Sequence, residues 1–145
     1  MKKQFAVAVA LLAASIAAGP CYAQRTTLIG NIPFTFQVGD KTMPAGDYLI
    51  QRAFSGEARV QLIRRTDSSA AAAVAPATLV DVRDGRSDPV LVFHKYGNSY
   101  FLFQIWTGES MGLQLSKSKA EKELARESAG SEVAISLQSV SERGL

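Results

Sequence analysis

Polar and apolar residues alternate along most of the chain that follows its first two dozen positions. Ile32, Phe34, Phe36 and Val38, for example, are separated by single residues that are polar or proline. A period of two residues is typical of a β-strand with one buried face. Further segments with this rhythm are residues 48–53, 60–64, 90–96, 99–106 and 133–137. The pattern therefore predicts a mainly β fold.

Short turn sequences between these segments predict antiparallel pairing. Gly39-Asp40 and Gly97-Asn98 are each suited to a two-residue hairpin turn. Residues 70–82 are ambiguous, because their four consecutive alanines favour a helix. Pro76 interrupts that run and the surrounding valines favour a strand, so we expect one or two strands there.

The most regular hairpin is expected at residues 90–106, with His94 opposite Phe101. Strict alternation assigns one face to the core: Val90, Val92, His94, Phe101, Phe103 and Ile105. The opposite face carries Leu91, Phe93, Lys95, Tyr100, Leu102, Gln104 and Trp106. This second face is unusually apolar for a surface, so we expect another element to cover it.

A helix is available to cover that face. Ser118 with Glu121 three residues later is a capping-box pattern, Ala120 and Leu124 lie one turn apart, and Gly130 is a stop signal. The expected fold class is therefore mainly β: a small antiparallel barrel or sandwich of six to eight strands with one C-terminal helix.

The amino terminus has the layout of a secretory signal peptide. Lys2 and Lys3 precede an apolar run at residues 5–18, and small residues follow before Gln24. The run is too short to span a bilayer, so we expect no transmembrane helix in the mature chain. The expected organisation is a signal peptide at 1–23, a single β-rich domain at 24–138 and a flexible tail at 139–145. Lipidation at Cys21 is the alternative, which Pro20 fits poorly.

The expected location of the exported protein is periplasmic or extracellular. Cleavage of the signal peptide also changes its composition. Removal of 23 residues from 145 leaves 122, which suits one domain, and removes the single cysteine, so no disulfide is expected. The 16 basic residues fall to 14 against 13 acidic ones. This near balance gives no basic patch of the kind that binds nucleic acid, and no nucleic-acid partner is expected.

Three blocks of the chain together resemble a known family. They are residues 31–39 with 43–48, residues 91–97 with 100–102 and Trp106, and residues 115–119 with 121–124. In this order they resemble an uncharacterised family of small exported bacterial proteins, acidobacterial in type. The resemblance implies export and supplies no activity and no functional residues.

The chain offers little catalytic or metal-binding chemistry. His94 is its single histidine, and no cysteine remains after cleavage, so we expect no metal site and no cofactor. Ser110 lies in a Gly-x-Ser-x-Gly string, but His94 precedes it and the surrounding pattern looks antiparallel, unlike a hydrolase elbow. We therefore expect no catalytic residue, with a secreted hydrolase using Ser110 or His94 as an alternative.

Phe93, Tyr100 and Trp106 are the candidate binding residues, because aromatic faces stack on sugars or partners. The competing interpretation is that the segment at residues 113–124 packs on them. The function expected is an exported, non-enzymatic β module that binds a protein partner, a glycan or a small apolar ligand. An outer-membrane-associated β protein is a further alternative. An open apolar cavity would favour a ligand, whereas a filled core with an exposed aromatic patch would favour a partner or glycan.

Overall fold

The structure, a computed structural model, describes residues 26–54, 57–67, 72–81, 87–108 and 111–140. The expected signal peptide, Cys21 and Ser110 lie outside these ranges. The described residues form eleven strands and one helix. The strands are β1 (Thr27–Ile32), β2 (Phe36–Val38), β3 (Lys41–Met43), β4 (Gly46–Phe54), β5 (Glu57–Arg65), β6 (Ala72–Asp81), β7 (Val90–Tyr96), β8 (Ser99–Trp106), β9 (Met111–Leu115), β10 (Ser131–Ser136) and β11 (Gln138–Val140). The helix, α1, spans Lys119–Glu127.

The strands form one continuous sheet in the order β10-β7-β8-β9-β6-β5-β4-β1-β11, with the hairpin β2–β3 attached to β8. All neighbours pair antiparallel except β2 and β8, which pair in parallel at Gln37 and Phe101. Within the described chain, the end strands β10 and β11 do not pair with each other, so the sheet stays open. The mainly β fold class with one helix that is expected from the sequence is confirmed, and the open sheet fits a sandwich rather than a closed barrel.

The sheet changes layer at two places, which divide it into sheet I (β11, β1, β4, β5) and sheet II (β10, β7, β8, β9). Residues 72–76 of β6 pair with β5, whereas residues 77–81 pair with β9, so the strand passes from one sheet to the other at Pro76. The second place is Leu137, the single residue between β10 and β11. Strands that switch sheets make the corners of β-sandwiches. The structure has eleven strands, whereas six to eight are expected, because it includes three strands of only three residues (β2, β3 and β11).

One apolar core lies between the two sheets. Sheet I contributes Tyr48, Ile50 and Ile63, and sheet II contributes Leu91 and Phe93. The ring of Phe36, on the attached hairpin, contacts both Tyr48 and Phe93 edge to face, at centroid distances of 5.1 and 5.4 Å. The burial of Tyr48 and Ile50 on one face agrees with the alternation read from the sequence.

The face assignment predicted for the hairpin at residues 90–106 is wrong up to Leu102, whereas Ile105 faces the core as expected. Leu91, Phe93 and Leu102 face the core. The turn is as expected, with Tyr96 opposite Ser99, but a β-bulge follows: Phe93 pairs with Leu102 while Val92 pairs with Gln104. Phe103 is therefore an extra residue, and the remainder of β8 is shifted by one position relative to strict alternation.

Helix α1 begins and ends near the expected residues. The Ser118 side chain caps it by accepting a hydrogen bond from the backbone N–H of Glu121 at 3.2 Å. After the helix, the chain forms β10 beside β7 and β11 beside β1. Ser139 and Val140, which the sequence analysis places in a flexible tail, pair with Leu28 and Thr27, so the ordered chain extends to Val140. The described residues include no helix with the length and apolarity needed to cross a bilayer.

Candidate functional site

A buried polar cluster lies between α1 and the outer face of sheet II. His94 Nδ1 and the Glu121 carboxylate are 2.6 Å apart, and the Tyr96 hydroxyl donates a hydrogen bond to the same Glu121 oxygen at 3.3 Å. The side chain of Glu121 is almost fully buried, as is Tyr96. We call His94, Tyr96 and Glu121 the acid–imidazole cluster.

Local structure explains how Glu121 reaches the sheet. The Ser118 cap places Glu121 in the first turn of α1, on the side that faces β7. Gly130 then lets the returning chain pass close to Tyr96, because a Cβ atom there would lie 2.6 Å from the Tyr96 ring. The sequence predicts the capping contact between Ser118 and Glu121. It does not predict that the Glu121 side chain is buried, because Ala120 and Leu124 are the residues expected to face the sheet. Ala120 is exposed and Leu124 only half-buried.

The charges around the cluster favour a structural role. Burial raises the pKa of the Tyr96 hydroxyl, and the charge of the neighbouring Glu121 carboxylate and the hydrogen bond to it raise that pKa further. The other His94 nitrogen, Nε2, lies 3.9 Å from the exposed carboxylate of Glu132 on β10. The Phe103 ring stacks on the imidazole with centroids 3.8 Å apart. Each imidazole nitrogen therefore faces a carboxylate, and aromatic packing holds the ring in place.

This arrangement lacks the geometry of a hydrolase in the part of the chain that the structure describes. Nucleophilic catalysis requires a hydroxyl or thiol within hydrogen-bond reach of the imidazole. Among the described residues, the polar partner of His94 Nδ1 is the Glu121 carboxylate, and the Tyr96 hydroxyl bonds that carboxylate rather than the imidazole. Ser110, the alternative nucleophile, lies outside the described residues. Across the described ranges, no three His, Cys, Asp or Glu side chains converge as a metal site would require.

Of the three aromatic residues proposed as binding candidates, Phe93 and Tyr100 both pack on Phe34, whereas Trp106 lies apart from them. Phe93 is fully buried in the core between the sheets. Tyr100 is half-buried and stacks on Phe34, with ring centroids 3.8 Å apart. Trp106 is 7% exposed and lies on the opposite side of sheet II, where its Nε1 donates a hydrogen bond to Gln104 at 3.2 Å. The bulge at Phe103 separates Trp106 from the other two.

An open cavity lies at the corner where β6 passes between the sheets. Its volume is about 250 Å³. The residues around it are Val38, Gly39, Val74, Ala75, Pro76, Ala77, Thr78, Leu115 and Ser116. We call this cavity the corner notch. Most of its lining is apolar, and the side chains of Thr78 and Ser116 supply hydroxyl groups.

The corner notch lies between β6, the end of β9 and the turn of the β2–β3 hairpin. Strand β9 ends at Leu115, opposite Ala77, and the chain then turns away to begin α1. Pro76 lacks an N–H, which favours the end of pairing at this point. The tight turn between β2 and β3, with Gly39 at φ +59°, forms the opposite wall.

Sequence reasoning missed the corner notch. Its walls are small side chains with no chemical signature, and they meet only when β2, β6 and β9 are assembled. A proline inside a strand pattern was the one local signal, because such a proline is confined to an edge or a bulge. Comparison with models of known families, with curated proteins and with solved structures gives no match.

Proposed function

We propose that this chain is an exported, non-enzymatic β module that binds an apolar group of a ligand or partner in the corner notch. The observation that carries the proposal is the cavity of about 250 Å³ at the β6 corner. Ligand sites are concave and mostly apolar, with a few polar groups that fix orientation. The notch has this character, since small apolar residues surround the hydroxyls of Thr78 and Ser116.

The acid–imidazole cluster supports binding over catalysis. His94 is held by Glu121 and stacked on Phe103. Its Nε2 faces the Glu132 carboxylate. A group held in this way stabilises the contact between α1 and sheet II.

The distribution of exposed side chains supports an apolar ligand over a glycan. Sugars are bound by stacking on exposed aromatic rings. Among the described residues, the large hydrophobic side chains that are exposed are Val74, Met111 and Val140, and none of these is aromatic. Val74 is also part of the notch and is 55% exposed, so it widens the apolar surface at the entrance.

Titration with N-phenyl-1-naphthylamine, an uncharged fluorophore that brightens in apolar sites, tests the proposal. We expect saturable binding to the mature wild-type chain. Ser116→Trp places a large side chain at the notch and is expected to weaken binding about tenfold or more, equivalent to about 1.4 kcal/mol.

Lys117→Trp is the matched control for that variant. Lys117 is the next residue and is exposed, like Ser116, but does not line the notch. We expect it to bind the fluorophore as the wild type does. Absence of saturable binding, or equal losses in both variants, would contradict the proposal.

A further inference from the structure

We infer that a second copy of this chain docks on the outer face of sheet I, so that two copies pack face to face around a two-fold axis. The surface involved comprises the outward-facing side chains of sheet I and of residues 72–76 of β6, and we call it the sheet I surface. This inference goes beyond the proposed binding in the corner notch, because it concerns association of the protein with itself.

Alternation along the strands gives the sheet I surface a band of apolar side chains. The residues that these strands direct into the core include Leu28, Ile50, Ile63 and Ala73. Successive side chains of a strand point to opposite faces of a sheet. The outward-facing neighbours of these residues are Ile29, Leu49, Leu62 and Val74. Their strands are adjacent in the sheet, so the band is continuous across β1, β4, β5 and β6.

The apolar band is open to solvent in the part of the chain that the structure describes. Val74 is 55% exposed, and the rest of the band is half-buried. Helix α1 packs on sheet II instead, where Glu121 contacts His94. The hairpin β2–β3 contacts the core through Phe36. No described element therefore covers the sheet I surface, although an apolar sheet face is normally covered by a second layer.

The size of the sheet I surface suits a reversible dimer. Five strand segments contribute to it, and strands lie about 4.8 Å apart, so the surface is about 24 Å wide. The segments have three to nine residues and are on average about 20 Å long. Two copies would together bury on the order of 1,000 Å², which is in the range of weak and transient complexes.

Two exposed charges of opposite sign lie beside the apolar band. Arg64 is directly opposite Leu49, and Asp47 is two residues before Leu49 on the same face of β4. Diagonal neighbours of this kind are about 7–8 Å apart. The Asp47 carboxylate accepts a hydrogen bond from the side-chain amide of Asn31. Among the described residues, neither Arg64 nor Asp47 belongs to an ion pair.

A two-fold axis that passes between these residues makes their charges complementary. In such an interface every contact occurs twice, with the roles of the two copies exchanged. Arg64 of one copy then lies opposite Asp47 of the other, and the two apolar bands pack between the resulting pairs. Packed sheets lie about 10 Å apart, a distance that an arginine and an aspartate together can bridge.

The same features count against other occupants of this surface. The apolar band contains no aromatic ring on which a sugar could stack. Arg64 and Asp47 balance one another, so the centre of the surface lacks the positive charge that attracts an anionic membrane. A strongly charged partner protein gains nothing from such a balance either. A second copy supplies both an apolar band and the two opposite charges.

Sedimentation equilibrium of the mature chain over a wide range of concentrations tests this inference. We expect a reversible equilibrium between monomer and dimer. Arg64→Glu places two carboxylates opposite each other and is expected to weaken the dimer about tenfold or more. Arg64→Glu combined with Asp47→Arg exchanges the two charges and is expected to restore association to within about threefold of the wild type.

Arg126→Glu is the matched control, because it makes the same change of charge at an exposed residue of α1. We expect it to dimerise as the wild type does. A wild type that stays monomeric at every concentration would overturn the inference. Equal weakening by Arg64→Glu and Arg126→Glu would overturn it too, as would a charge exchange that fails to restore association.

Nuclear magnetic resonance replaces the variants if Arg64→Glu fails to fold. On dilution of the labelled wild type, we expect the amide shifts of Ile29, Leu49 and Leu62 to change and those of α1 to stay constant. Changes centred on another surface would contradict the inference.

The naphthylamine fluorophore separates this inference from the proposed function, because neither Arg64 nor Asp47 lines the corner notch. A monomeric wild type that binds the fluorophore would overturn the dimer alone. A dimeric chain without saturable fluorophore binding would overturn the proposed function alone.

Discussion

Glu121 lies in the first turn of α1, and its carboxylate is buried against sheet II. Few other polar side chains among the described residues are buried. Burial of a charge is costly unless the charge is paired and hydrogen-bonded. Here His94 and Tyr96 both contact the same carboxylate oxygen. Loss of either partner would leave the buried carboxylate incompletely satisfied, which costs more than the hydrogen bond itself contributes.

His94→Ala tests this role at the level of one residue. We expect the free energy of unfolding, measured by urea denaturation near neutral pH, to fall by about 3 kcal/mol, because the buried carboxylate loses its imidazole partner. Glu132→Ala is the control, since Glu132 is 60% exposed and lies 3.9 Å from His94 Nε2. Its change is expected to stay within about 0.5 kcal/mol. Equal effects of the two variants would show that the Glu121 contact is not the stabilising one.

The pH dependence of stability follows from the raised pKa of Tyr96. Burial and the Glu121 carboxylate raise this pKa above the ordinary value of 10.0, so the folded protein retains the proton that the unfolded chain releases. The resulting stability is fully present below about pH 10 and is lost as the pH rises through the folded pKa. The raised pKa of Tyr48, caused mainly by burial, adds in the same direction.

Tyr96→Phe is expected to reduce this alkaline loss of stability, with the contribution of Tyr48 remaining. Urea denaturation at several values between about pH 9 and about pH 12 measures the slope. We expect a shallower decline for the variant than for the wild type. Identical slopes would mean that Tyr96 titrates alike in the folded and unfolded chains.

At the scale of elements, the open edge of β6 requires protection from unwanted pairing. Exposed strand edges template association between molecules, and lysine and proline on the edge oppose it. Lys41 covers the Ala72 carbonyl, and Pro76 removes one donor. These two residues therefore oppose pairing of this part of β6 with another molecule.

Pro76→Ala restores a backbone donor at this edge. We expect the variant to fold and to self-associate more strongly than the wild type, as measured by sedimentation equilibrium over a range of concentrations. Pro33→Ala is the control, because Pro33 is exposed between β1 and β2, away from the notch. A Pro76→Ala protein with the same average mass as the wild type would contradict the protective role of the proline.

Local signals in the sequence predict many elements but not how they meet. The turns at Gly39 and Gly97, the Ser118 cap and the strand rhythm around Tyr48 all depend on neighbouring residues, and the structure confirms them. The bulge at Phe103 has no local signature. Because of it, Leu102 and Ile105 face the core together, although strict alternation places them on opposite faces. The burial of Glu121 depends on a partner 27 residues earlier in the chain. The corner notch needs three distant strands, which no local pattern specifies.

At the scale of the whole molecule, the two sheets share one apolar core, and β6 passes from one sheet to the other at its margin. The core between the sheets contains side chains from both. The corner notch lies at the Pro76 corner, at the margin of this core, and shares Val38, Ala75 and Leu115 with it.

Export is the other property of the whole molecule that we propose. Mass spectrometry of the protein from its native host is expected to show an amino terminus at Gln24, because the basic start, the apolar run and the small residues before Gln24 direct cleavage there. A diacylglycerol-modified cysteine at position 21 would support lipidation instead. An intact Met1 in the cytosolic fraction would contradict export.

Nuclear magnetic resonance of the isotopically labelled mature chain, titrated with N-phenyl-1-naphthylamine, locates the binding site without assuming it. We expect the largest saturable changes in amide chemical shift at residues 38–39, 74–78 and 115–116, which line the corner notch, with His94, Tyr96 and Glu121 unaffected. Changes centred on His94 and α1, or no saturable change at all, would show that this protein does not function through the notch.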